Sequence, residues 1–104
     1  MLISDIHDAI NNITEFTKDM TFEMYLSDVR TKHAVERNFE IIGEAASRVT
    51  EKYMEVHSHI EWRILKDFRN FIIHEYFGIN DEIVWDTIKF RIPELLNCFT
   101  ILLK

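Results

Sequence analysis

Two glycines, one proline and one cysteine are all that 104 residues contain of these three types. An all-β domain needs far more turn-formers, so the shortage of glycine and proline favours helices. The lone Cys98 forms no internal disulfide, which suits a reducing cytosol and points to a cytoplasmic protein. No apolar run approaches the roughly 20 residues of a membrane span. Residues 1–20 carry Asp5, Asp8, Glu15 and Asp19, which is not the composition of a secretory signal. No membrane association is therefore expected. Glycine-rich phosphate loops, nucleophilic-serine motifs, repeats and low-complexity tracts are also missing.

What is present is 47% hydrophobic and 29% charged, the balance of a soluble globular protein, and the length suits a single helical domain over residues 1–104. The net charge of −6 argues against coating a nucleic acid, which takes many phosphate contacts. The charge is unevenly spread, however. Residues 1–29 hold one base against six acids, whereas residues 62–74 hold Arg63, Lys66 and Arg69 against Asp67 alone. The latter is the most positive stretch of an acidic chain and suits a small site gripping one or two phosphates.

Apolar residues recur at helical spacing along most of the chain. Ile3, Ile6, Ile10, Ile13, Phe16 and Met20 mark a first amphipathic helix, with Ser4 or Asp5 as its cap. Thr21 caps a short second helix through Leu26. Val35, Phe39, Ile42, Ala46, Val49 and Tyr53 stripe a long third helix, expected from about Lys32 to Lys52. Gly43 sits in its middle, where glycine costs roughly 1 kcal/mol against alanine. With Ala46 and Ser47 one turn on, this small face suits close approach of another backbone. His57-Ser58-His59 reads as a polar connector. A fourth helix follows from Glu61 or Trp62 to about Tyr76, with Trp62, Leu65, Phe68, Phe71, Ile72 and Ile73 apolar and Gly78 placed as its C-cap. Asn80 or Asp81 caps a fifth, and Pro93 imposes a kink or restart before the terminal segment. The expected architecture is an all-α, largely up-and-down bundle of about five helices.

One block stands apart from this core pattern. RNFIIHEY sets Arg69, Asn70, His74 and Tyr76 along barely two turns. On an ideal helix Arg69 and His74 differ by about 140° in direction and about 7.5 Å in height. Asn70 and His74 share a face, and Tyr76 returns to within about 20° of Arg69. One copy thus presents two adjoining faces, and two copies meeting across a dimer axis would bring histidine and opposing arginine to a shared cleft. Such a cleft suits RNA cleavage. A neutral histidine takes the 2′-hydroxyl proton, its protonated twin supplies the leaving 5′-oxygen, and the guanidinium stabilises charge on the phosphate. The ribose provides the nucleophile, so the chemistry needs neither metal nor cofactor. A purely structural reading stands beside this one. Arg69 pairs with Asp67 or Glu75, His74 sits at a helix end near the negative pole of the dipole, and Tyr76 is core.

Three blocks in order carry a family resemblance: RNFEIIGEA at Arg37–Ala45, IEWRILKDFRNFIIHEYFGI at Ile60–Ile79, and VWDTIKFRIPEL at Val84–Leu95. Together they resemble the HepT-like branch of the HEPN (higher eukaryotes and prokaryotes nucleotide-binding) superfamily, over roughly the whole chain from Thr21 onward. The resemblance implies a helical homodimer with facing motif helices and a metal-independent ribonuclease toxin. Arg69 and His74 would be catalytic and Asn70 supporting. It also implies an MNT-type nucleotidyltransferase antitoxin that transfers AMP to Tyr76. Arg37, Glu40 and Glu44 form a polar ridge on helix three, which is either a solvated face or a brace, with Arg37 or Asn38 lining the cleft.

Other candidates are weaker. His57 and His59 lack a zinc spacing, so no metal site is expected. Trp62 and Trp85, each on an apolar face, read as core rather than base-stacking platforms. The leading expectation is an RNA-cleaving toxin. The rivals are a non-catalytic helical module that binds a nucleotidyltransferase, and a structural dimer whose motif is an interfacial ion network.

Overall fold

The computed structural model describes the backbone of residues 1–73 and 80–104 and the side chains of residues 1–70 and 80–104. Among the described residues the chain is helical, without strands, in the order α1 (Leu2–Phe16), α2 (Phe22–Ser27), α3 (Val29–Ala46), α4 (Glu51–Val56), α5 (Trp62–Ile73), α6 (Asp81–Phe90) and α7 (Ile92–Leu102). The all-α expectation holds. The described helices number seven, against about five expected, because Thr50 caps a separate helix within the third apolar stripe and the terminal segment restarts at Pro93, as expected.

The third helix shows this most clearly. Its stripe runs on through Val49 and Tyr53, yet α3 stops at Ala46 and a separate α4 begins at Glu51. Thr50 is extended, and its side chain accepts a hydrogen bond from the Tyr53 amide at 3.2 Å, which starts a new helix inside the apolar pattern. At the other end, Asp28 starts α3 earlier than Lys32 by accepting from the Thr31 amide at 3.0 Å. That amide bond holds the Asp28 carboxyl below the usual carboxylate range. In α1 the cap falls at Met1, not at Ser4 or Asp5, since the backbone is already helical from Leu2 and the Ser4 hydroxyl donates to the Met1 carbonyl at 3.0 Å. Thr21 and Asn80 cap α2 and α6 as expected, accepting from the amides of Met24 and Ile83. Helix α6 ends at Phe90, and α7 restarts at Ile92 with Pro93 in its first turn, where the missing N–H costs no helical bond.

Helix α3 is the centre of the bundle. It packs against α1 and α5, and α7 closes over α1 and α6. The core takes Ile6, Ile10 and Ile13 from α1, Val35, Phe39 and Ile42 from α3, Leu65 and Phe68 from α5, and Phe99 from α7, all buried. Each large apolar side chain buried this way contributes roughly 1.5–3 kcal/mol. Trp62 is buried, edge-on to Phe99. Trp85 is half-buried against Phe22 and Tyr25, so both tryptophans pack rather than stand out as stacking platforms.

Candidate active site

Helix α5 turns Trp62, Leu65 and Phe68 inward and leaves Arg63, Lys66, Asp67, Arg69 and Asn70 exposed. Phe68 meets Phe39 of α3 edge-on, with ring centroids 5.0 Å apart. This contact and the apolar stripe fix the rotation of the helix, and therefore the direction in which its cations leave it. Arg69 lies four residues after buried Leu65, so its Cα sits only about 40° from that inward direction.

Gly43 explains how an arginine fits there. A β-carbon at Gly43 would lie 2.6 Å from the Arg69 Cβ, 2.8 Å from its backbone nitrogen and 3.1 Å from its Cα. The two helices touch backbone to backbone at this point, and only the absence of a side chain on α3 permits it. The small-face reading of Gly43 is thus realised, with Arg69 as the residue that approaches. Its root is clamped in the helix interface while the side chain reaches solvent. Among the described residues the guanidinium makes neither an ion pair nor a hydrogen bond, and Asp67 does not neutralise it. The other expected partner, Glu75, lies outside the described residues, as do His74, Tyr76 and Gly78.

The remaining candidates separate. Asn70 is exposed next to Arg69. Arg37 is exposed on α3 and donates from Nη1 to Glu40 Oε1 at 2.9 Å, a surface pair worth little. Asn38 is buried: its Nδ2 donates to the Ala34 carbonyl at 2.8 Å, and its Oδ1 accepts from Asn12 Nδ2 of α1 at 3.3 Å. Five residues separate Asn38 from Gly43, so the two point about 140° apart around α3. The hydrogen bonds of Arg37 and Asn38 thus run to Glu40, Ala34 and Asn12, not to Arg69.

One pair went unread in the sequence. Lys32 Nζ lies 2.9 Å from Asp81 Oδ2, both residues about three-quarters buried, and ties the start of α6 to α3. The chain on either side of residues 71–79 is thereby held on one helix, through Gly43 before and Lys32 after. A pair 49 residues apart leaves no local signature. The glycine in mid-helix did leave one, but spacing does not say which residue meets it. Among the described residues, no group of three or more His, Cys, Asp or Glu side chains is arranged to hold a metal ion.

A model of the family described as Ribonuclease HepT-like matches residues 6–100. The chain belongs to this family. Its relatives include the protein named "Probable ribonuclease HepT" of Thermococcus cleftensis, 40% identical over 102 residues, covering 98% of this chain and 93% of the relative. The protein named "Putative RNase MJ0127" of Methanocaldococcus jannaschii is 39% identical over 89 residues, covering 86% and 74%. A third, "Putative RNase MJ0125" of the same organism, is 37% identical over 100 residues, covering 96% and 86%. No solved structure matches the chain. Membership in the HepT-like family agrees with the resemblance carried by the three sequence blocks, and the helical fold agrees with both. No described helix is long and apolar enough to cross a membrane.

Proposed function

We propose that this HepT-like chain is a metal-independent endoribonuclease toxin that acts as a homodimer in the cytoplasm. Arg69 and His74 are its catalytic residues, supported by Asn70. The observation that carries the reading is Arg69: clamped at its root by α5 against Gly43, exposed at its tip, and without a counter-ion among the described residues. A guanidinium in that state suits an anion from outside, and its planar fork matches two phosphate oxygens. The ribonuclease names of the relatives give that anion a chemical class.

In the proposed reaction, a neutral His74 takes the proton from the 2′-hydroxyl, and the 2′-oxygen attacks the adjacent phosphorus. The P–O5′ bond breaks, and the protonated His74 of the second copy delivers a proton to the leaving 5′-oxygen. The products are a 2′,3′-cyclic phosphate and a free 5′-hydroxyl. Arg69 stabilises the charge that accumulates on the pentacoordinate phosphorus, where one well-placed donor contributes about 10²–10³ in rate.

Regulation involves the same motif. An MNT-type nucleotidyltransferase antitoxin transfers AMP from ATP to the Tyr76 hydroxyl, releasing pyrophosphate. The bulky anionic group competes for the Arg69 guanidinium and fills the phosphate site. The half-buried free thiol of Cys98 is compatible with a reducing compartment.

Purified protein incubated with single-stranded RNA in excess EDTA tests the catalytic part. The expected products are cyclic-phosphate ends, absent when the scissile ribose lacks its 2′-hydroxyl and absent with His74→Ala. Activity lost in EDTA would contradict metal independence. RNA left intact by a protein that still binds a nucleotidyltransferase tightly would point to a non-catalytic interaction module. Intact-mass analysis after co-expression with such a partner tests the regulatory part, with AMP mapped to Tyr76 as the expected result. Unmodified protein in an inactive complex would replace modification by occlusion.

A further inference from the structure

The contact between α3 and α5 assigns a role to a residue with no side chain. We infer that Gly43 is a positioning residue for Arg69, setting how far the guanidinium projects from the bundle. This rests on the proposed role of Arg69 in phosphate stabilisation and adds what fixes that arginine in place.

The geometry is specific. A β-carbon on Gly43 would lie within 3.1 Å of three Arg69 atoms, and two of these are the backbone nitrogen and Cα. A flexible side-chain tip moves aside at little cost, but backbone inside a helix moves only with its helix. The rest of the interface resists such movement. Phe39 and Ile42, flanking Gly43 on α3, and Leu65 and Phe68, just before Arg69 on α5, are all buried. An added methyl group would tilt or lift α5 at Arg69, carrying the guanidinium away from a phosphate bound by the rest of the site. Displacements of about 1 Å cost catalytic sites up to about 100-fold.

The inference opposes what helix propensity alone predicts. Gly43 lies in the interior of α3 without a left-handed backbone. Replacement by alanine would then raise the thermal midpoint by about 4–8 °C in a domain of this size. If the contact governs, Gly43→Ala lowers the midpoint instead and slows RNA cleavage at saturating substrate by at least about 10-fold, with a smaller change in KM.

The test is a double-mutant cycle on the full chain, measuring cleavage of single-stranded RNA and thermal unfolding for wild type, Gly43→Ala, Arg69→Ala and the double variant. Coupling through Arg69 predicts that most of the kcat loss caused by Gly43→Ala disappears once Arg69 is alanine. Additive losses in kcat, or a raised midpoint with unchanged kcat, overturn the inference. Wild-type kcat in Arg69→Ala would instead refute the role of Arg69, a failure distinct from that of Gly43. Val35→Ala is the control: buried two turns before Gly43, it weakens the packing of α3 and leaves the Arg69 contact intact, so folded molecules should keep their kcat. An equal loss there would reduce Gly43 to a general packing role. Should Gly43→Ala fail to fold, nuclear Overhauser contacts between the Gly43 α-protons and the Arg69 β-protons of the unmutated protein are expected to be strong. Their absence rules out the close approach and the inference with it.

Discussion

On one side of α3, Asn38 reaches Asn12 of α1 through a side-chain hydrogen bond, beside a groove of about 320 Å³ lined by Asp5, Asp8, Asn12, Asn38, Glu44 and Arg48. On the other, Gly43 meets the Arg69 backbone directly, and Phe39 closes edge-on against Phe68. Helix α1 also packs closely on α3, with Ala9, Ile41 and Ala45 lining the same groove, but at Asn38 the two helices meet through side-chain ends that rotamers can adjust. The α5 side is joined by backbone and rings, so a displacement of one helix is passed to the other. The proposed catalytic arginine stands at the backbone contact. Charge differs as well, with six acids against Lys18 alone in residues 1–29 and the cations Arg63, Lys66 and Arg69 exposed on α5.

Substitutions on each side sharpen or break this contrast. The largest expected stability effect is Phe39→Ala, which removes a fully buried ring from the tight interface and should cost about 3–5 kcal/mol in urea unfolding. A cost near that of a surface change would mean that α5 is not held by this contact. Asn38→Ala, on the α1 side, should cost about 0.5–1.5 kcal/mol, since it removes part-buried hydrogen bonds to the half-buried Ala34 and the exposed Asn12 and strands no buried group. A loss as large as that of Phe39→Ala would erase the distinction between the two faces.

A smaller effect of opposite sign is expected at Tyr25, which serves as a reference away from both. Its ring is fully buried beside Trp85, and its hydroxyl has no hydrogen-bond partner among the described residues. Burial, and then the charges of Glu36 and Asp81, push its pKa well above the ordinary phenol value. The unfolded chain releases this proton above about pH 10 while the folded chain keeps it, so stability falls as pH rises beyond that point. Tyr25→Phe should stabilise the protein by about 1 kcal/mol near neutrality and flatten the alkaline decline. Unfolding curves that keep their alkaline slope in this variant would show that another group produces it.

Much of the fold was legible because its signals are local. Thr21, Asn80 and Pro93 act through bonds to residues within one turn, and the stripes of α1 and α5 follow from period alone. The break between α3 and α4 was misread because Val49 and Tyr53 continue the apolar period while Thr50 supplies a competing cap. The candidate site was read by a different route. Arg69 and Asn70 were named from the motif, and Gly43 was recognised as a place of close approach. That Gly43 meets Arg69, that Asn38 turns towards α1, and that Lys32 pairs with Asp81 depend on how helices distant in sequence are packed. No spacing rule contains that information.

The most direct test of the account is the single-turnover rate of RNA cleavage at saturating RNA in EDTA, compared between wild type and Arg69→Ala. A loss of about 100-fold or more, with helical circular dichroism and thermal midpoint unchanged, is the predicted result. Cleavage at the wild-type rate by a folded Arg69→Ala protein would contradict it.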